Sequence, residues 1–168
     1  MSKISVGLMP SEEIDDLKPY ARSIWSVAYR DLISPAQMDY MLDRLYSPDR
    51  LKEEVAAGNP LFSATIGDET VGFAHVFIDG HQSRLDKLYV SPLFQRMGIG
   101  SQLVKHVFRH AIASDCSLIT LRVNRNNAAA ISAYESMGFG IIATNKKDIG
   151  GGYVMDDYLM LADLIVPD

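Results

Sequence analysis

The chain contains one cysteine, Cys116, in 168 residues. An internal disulfide needs two thiols and a thiolate metal site needs several, so both are excluded, and no metal is expected. Positive charge is short as well: 16 Lys and Arg stand against 21 Asp and Glu, for a net charge of -5. Surfaces that track phosphate backbones are usually basic, so nucleic acid is not the expected partner, whereas small cations are admissible. No apolar run reaches bilayer-spanning length, so no membrane partner is expected either. The opening "MSKISVGLMPSEE" lacks the apolar stretch of a secretory signal, which makes the cytoplasm the expected location. Repeats, low-complexity tracts and linker-like stretches are missing too. What is present, 48% apolar and 22% charged residues, suits one sizeable core. A single domain over 1–168 is the expectation.

Local signals divide the chain into elements. "KISVGLM" (3–9) alternates like a strand, and Ser11 with the acids after it opens a helix expected to reach about Arg30. Ser34-Pro35 and Ser47-Pro48 each pair a cap with proline at the first helical position, predicting helices near 35–46 and 48–57. Met38, Met41, Leu42 and Leu45 fit the buried stripe of the first of these. "LFSATIG" and "TVGFAHVFID" are two strands joined through Asp68-Glu69, a connection of hairpin length. "RLDKLYV" is the next strand, ended by Ser91-Pro92. From Gly100 onward Leu103, Val104, Val107, Phe108, Ala111 and Ile112 recur at helical spacing. "SLITLRV" (117–123) is a strand, "NNAAAISAYESMG" a short helix closed by Gly138, and "FGIIATNKK" and "YVMDDYLML" two last strands around the glycines at 150–152. The pattern is α+β, a mixed sheet with helices.

One stretch has no place in a plain helix-and-strand reading. "LFQRMGIGSQLV" (93–104) puts two glycines at the head of a helix, where glycine costs stability relative to alanine. The first N–H groups of a helix lack internal partners and carry partial positive charge, so glycines there let an anion approach closely. No Gly-Lys-Ser/Thr follows, as a P-loop requires, and the third glycine of a dinucleotide fingerprint is missing.

A second motif fixes the interpretation. "LYVSPLFQRMGIGSQLV", followed about 25 residues on by "LRVNRNNAAAISAYESMGF", closely resembles the acetyl-coenzyme A signature of the GNAT N-acetyltransferases. That resemblance implies a GNAT acyl-CoA N-acyltransferase fold: a mixed central sheet of about seven strands, helices on both faces and one splayed strand pair. It implies acetyl-CoA as cosubstrate, and makes a homodimer a family-level expectation. By the same resemblance Gln95 opens the motif, and the backbone of Arg96, Met97, Gly98, Ile99, Gly100 and Ser101 holds the coenzyme pyrophosphate. Leu88, Tyr89 and Val90 end the strand along which the pantetheine arm adds like an extra strand. The Val90 N–H is the candidate to polarise the thioester carbonyl. Asn127 and Ala130 belong to the second motif, with Asn127 bonding the pantetheine arm and Tyr134 offering its proton to the departing sulfur.

The base and the acceptor are less defined. Many relatives carry a glutamate four residues before the leucine of L-Y-V, and Arg84 stands there instead. Asp86, two residues on, is the nearest carboxylate, with three roles open: base, acceptor-site charge, or salt bridge to Lys87 or Arg84. His75 and His81 are alternatives by their ordinary pKa range. "SIWSVAYRDLISPAQMDYMLDRLYSPDRLKEEV" loosely resembles the front half of GNAT members that include bacterial polyamine acetyltransferases, where a Trp and a Tyr shape the acceptor side. Asp156 and Asp157 either attract a cation or form one solvated face. The resulting expectation is acetyl transfer to a small-molecule primary amine, a polyamine or another small cationic amine. Its rivals are a protein N-terminus, an aminoglycoside, or a coenzyme-binding module without catalysis.

Overall fold

The alternating segments pair into one seven-stranded sheet in the order β1-β2-β3-β4-β5-β7-β6. The strands are β1 (Ile4–Leu8), β2 (Leu61–Ile66), β3 (Glu69–Asp79), β4 (Gln82–Val90), β5 (Leu118–Asn124), β6 (Gly140–Gly150) and β7 (Tyr153–Asp163). The helices are α1 (Ser11–Asp15), α2 (Leu17–Ala28), α3 (Pro35–Leu45), α4 (Pro48–Ala56), α5 (Ile99–Ala113) and α6 (Ala128–Ser136). This computed structural model describes residues 3–164, and the ends of the expected 1–168 domain lie outside them.

Two local expectations are corrected. The helix from Ser11 breaks at Asp16, because Pro19 has no N–H and its ring crowds the carbonyl four residues back. Ser11 is the first helical residue rather than the cap, which is Pro10. The β2–β3 hairpin turns on Gly67-Asp68, one residue earlier than expected: Ile66 pairs with Glu69, and Gly67 takes the positive φ of 59°. The cap at Ser34 is made as expected, its hydroxyl accepting the Gln37 N–H at 3.1 Å. Ser47 holds the N-cap position of α4 without a side-chain bond.

Each sheet face carries its own core. Val76, Leu85, Leu103, Val107, Ile119 and Met160 pack between the sheet and α5, with α6 closing one end. Ile24, Trp25, Leu42, Tyr46, Leu51 and Phe73 pack under α1–α4 on the other face. Met38, Met41 and Leu42 are buried there as the helical stripe requires.

One pair departs from the ladder. β4 and β5 run parallel but meet only at Gln82–Leu118, Ser83–Ile119 and Arg84–Thr120. Beyond Arg84, β4 stays with β3 as far as Val90–Gly72, while β5 stays with β7 as far as Asn124–Asp157. The two carboxyl ends therefore splay apart in the middle of the sheet.

Candidate active site

The wedge between β4 and β5 is lined on the β4 side by backbone. The Ser91 N–H donates to the Val71 carbonyl across to β3 at 2.9 Å. An antiparallel ladder alternates its direction residue by residue, so the N–H and C=O of Val90 and Leu88 face the wedge. Tyr89 differs from these neighbours: its backbone faces β3, and its side chain lies on the α2 face. There its hydroxyl is 3.1 Å from that of Tyr29. Gly72 allows this approach, since a Cβ on it would stand 2.9 Å from the Tyr89 carbonyl oxygen.

The mouth of the wedge is built by the glycine motif. Gly98 is the N-cap of α5, with φ 79°, a left-handed conformation that glycine adopts freely. The first helical bond runs from the Gln102 N–H to the Gly98 carbonyl, leaving Ile99, Gly100 and Ser101 N–H groups without helical acceptors. Arg96 is also left-handed, φ 63°, and Gln95 reaches back to the Val90 carbonyl at 3.5 Å. Met97 is half-exposed on the same loop. A Cβ on Gly100 would meet only Val90 and Met137, at 3.7 and 4.0 Å, so packing of the chain itself does not demand glycine there. A pyrophosphate fits this donor set.

The second motif closes the other side. Asn127 is the N-cap of α6, its Oδ1 accepting the Ala130 N–H at 3.3 Å. Among the described residues its amide nitrogen makes no bond, so capping leaves a donor over. Ala130 and Tyr134 pack against the α5-side core, and Tyr134 meets Phe139 edge to face. Burial pushes the Tyr134 hydroxyl pKa up, with the Tyr29 hydroxyl adding to the shift, so the group stays protonated at neutral pH.

Asp86, the candidate base, is held as an ion pair. The β3–β4 register slips by one between His75–Lys87 and Val76–Leu85, which makes Asp86 the extra residue of a bulge. Strict alternation would send Lys87 to the opposite face. The bulge instead brings it alongside, with Lys87 Nζ 2.7 Å from one Asp86 oxygen and Arg84 Nε 3.4 Å from the other. Lys87 is buried over the Tyr46 ring at 5.2 Å. Burial opposes the charge, but Lys87 and Arg84 outweigh it and hold the Asp86 carboxyl below its ordinary range. Of its three open roles, the salt bridge is the one formed, and a carboxyl so held is a weak proton acceptor. Asp86, Lys87 and Arg84 line a cleft of about 330 Å³ together with Arg50, Glu53 and Glu54 of α4.

Neither histidine replaces it. His75 is buried, its Nε2 bonded to the Asn59 carbonyl at 3.0 Å, and burial lowers its pKa to about 4. His81 lies in the β3–β4 turn, where its carbonyl accepts the Ser117 N–H. That is the joined end of β4 and β5, away from the wedge.

Three neighbours of the wedge lie outside the two coenzyme motifs. Tyr29 sits one turn after Trp25 in α2, and the two rings meet edge to face at 5.2 Å. Only the loose resemblance of the front half pointed toward it. In the sequence Lys87 stands only as a candidate ion-pair partner of Asp86, and the face it takes is set by the bulge. Asp157 is hidden by its neighbour: Asp156 faces Arg125 at 3.5 Å on a half-exposed side, whereas Asp157 is 3% exposed. Adjacent acids on a strand point to opposite faces, and here only one is solvated. Among the described residues no cluster of metal-binding side chains occurs, and no helix is long and apolar enough to cross a membrane.

Comparison with known proteins gives this geometry a lineage. The profile of the Acetyltransferase (GNAT) family matches residues 19–139, well over half of the chain. The spermidine N(1)-acetyltransferase of Thermoplasma acidophilum is 24% identical over 150 residues, covering 86% of this chain and 93% of its own. The [ribosomal protein bS18]-alanine N-acetyltransferase of Escherichia coli is 32% identical over 78 residues, 46% of this chain and 53% of its own. Among solved structures, the coenzyme A complex of the PaiA N-acetyltransferase from Thermoplasma acidophilum superimposes with a TM-score of 0.83 at 21% identity. It covers 96% of this chain and 99% of that one. The chain belongs to the GNAT family and is an acetyl-CoA-dependent N-acetyltransferase.

Proposed function

We propose that the acceptor is a small cationic primary amine of the polyamine kind, acetylated directly without an acyl-enzyme. One observation carries this reading. The match to the spermidine enzyme covers 86% of the chain, enough to take in most of the front helices, whereas the match to the ribosomal-protein enzyme covers 46%. The net charge of -5 is in the same sense.

The chain's own groups divide the work as follows. Backbone donors from Arg96 to Ser101 take the pyrophosphate, with Gln95 holding the loop to β4. Leu88 and Val90 pair with the pantetheine arm, assisted by the Asn127 amide. The Val90 N–H donates to the thioester carbonyl oxygen, where negative charge develops as the amine attacks. Tyr134 donates its proton to the departing sulfur. Asp86 stays in its ion pair with Lys87 and Arg84 and takes no part in the transfer. A location in the cytoplasm and a homodimer accord with this reading.

Thiol release measured over a panel of amines tests it. Spermidine and simple diamines are expected to outperform peptide N-termini and neutral-bodied amines. The reverse order overturns the cationic acceptor.

A further inference from the structure

We propose that Asp157 is the general base that takes the proton from the acceptor ammonium. The proposal rests on direct acetyl transfer to an amine as read above, and it supplies the residue that Arg84 leaves wanting.

Four positions converge on the open end of the wedge from four different elements. Asp157 lies opposite Asn124, the last residue of β5, where the sheet has already parted from β4. On β7 the odd-numbered Tyr153 and Met155 pack with the α2–α4 core, whereas Tyr158 and Met160 pack with the α5 core. By alternation Asp157 therefore points to the α2 face, the side from which an acceptor approaches the splayed strands. Tyr29, the C-cap of α2, is the common neighbour. It bonds Tyr89 of β4 at 3.1 Å, and its hydroxyl acts on that of Tyr134 of α6. The Asp157 charge in turn acts on Tyr29. Tyr134 and the carboxylate thus share Tyr29 as an electrostatic neighbour.

The carboxylate is buried yet has no cation in contact among the described residues, unlike Asp86 and Asp156. A charge in that condition costs stability, and carboxylates in such surroundings cluster at functional sites. Burial raises the Asp157 pKa, Asp156 on the same strand adds to that, and Arg122 of β5 opposes it. Asn145 of β6, paired with it on the other side, carries no charge. A raised carboxyl is a better proton acceptor than the ion-paired Asp86, and its negative charge also draws an ammonium into the wedge.

The step balances without a further reactant. Asp157 takes one proton from the ammonium, and the freed nitrogen lone pair attacks the acetyl carbonyl carbon. The C–N bond forms, the C–S bond breaks, and the sulfur takes the Tyr134 proton. The second proton leaving nitrogen restores Tyr134, and Asp157 returns its own to solvent.

The test is the pH dependence of kcat/KM for Asp157→Asn, read beside coenzyme A affinity by calorimetry. General base catalysis is worth about 10²–10⁴-fold, so a loss of at least about 10²-fold is expected at pH 7. Free amine rises tenfold per pH unit below its pKa near 10, so the gap between variant and wild type should close on going from pH 7 to 10. Coenzyme affinity should not change. Removing an unpaired buried charge should leave the melting temperature equal or higher, and Asp157→Glu should recover part of the rate at pH 7. A loss of the same size at every pH, or unchanged turnover where chemistry limits the rate, overturns the proposal. So does a coenzyme affinity that falls as far as turnover does. Peptide N-termini in the panel separate the two claims. If they outpace spermidine the cationic acceptor is lost, while the Asp157 profile is still read on the peptide, with the gap closing near its lower pKa of about 8.

Discussion

Tyr134 carries the sharpest expectation at the scale of single residues. Tyr134→Phe keeps the edge-to-face contact with Phe139 and removes only the hydroxyl. Turnover should fall about 10²–10⁴-fold with coenzyme affinity nearly unchanged, as steady-state kinetics beside calorimetry would show. Normal turnover of that variant, with chemistry rate-limiting, removes the hydroxyl from the mechanism. Tyr134, Asn127 and the two glycines were legible in the sequence because each belongs to a motif whose spacing is set by one helix start. The faces that Asp157 and Lys87 take were not. Asp157 differs from Asp156 only in which face of β7 it takes, and Lys87 reaches the face of Asp86 only through a bulge in the middle of β4. Neither fact has a local sequence signal.

At the scale of elements, the head of α5 combines a conformational and a steric requirement, and the two glycines separate them. Gly98→Ala places an L side chain at φ 79°, where a Cβ meets no neighbour. It should cost about 1–2 kcal/mol of stability from backbone strain alone, read as a shift in denaturant midpoint. Gly100→Val has ordinary backbone geometry and contacts no closer than 3.7 Å at its Cβ. It should fold normally and weaken coenzyme A at least tenfold, about 1.4 kcal/mol. Calorimetric affinity equal to wild type in a folded Gly100→Val protein contradicts the cradle. Most element types were legible, because strand alternation, helical spacing and Ser-Pro caps are short-range signals. The break at Asp16 comes from Pro19, a signal that is present in the sequence. The β2–β3 turn slipped by one because Gly67, not Asp68-Glu69, supplies the positive φ.

At the scale of the whole molecule, the strand order and the parting of β4 from β5 follow from long-range pairing, which periodicity does not encode. They were accessible only through the resemblance of two motifs. Buried titrating groups also tie the fold to pH. His75 has its pKa lowered from 6.5 to about 4, so its neutral form is the one the folded state prefers. Its contribution to stability is complete above pH 6.5 and is lost progressively as pH falls toward 4. Asp157, with a raised pKa, works in the opposite sense and gains stability on protonation. Urea midpoints between pH 7 and 4 should therefore decline, and less steeply in His75→Asn than in wild type. Equal slopes would mean that His75 is not the group responsible.

Acetyl transfer to a small cationic amine is tested most directly by one experiment on the wild-type protein. Coenzyme A thiol release is followed at saturating acetyl-CoA over a range of concentrations of spermidine, a diamine, a neutral-bodied amine or a peptide with a free N-terminus. The prediction is that spermidine and the diamine give kcat/KM values above the neutral-bodied amine and the peptide. A peptide N-terminus turned over faster than spermidine, or no thiol release with either polycation, contradicts it.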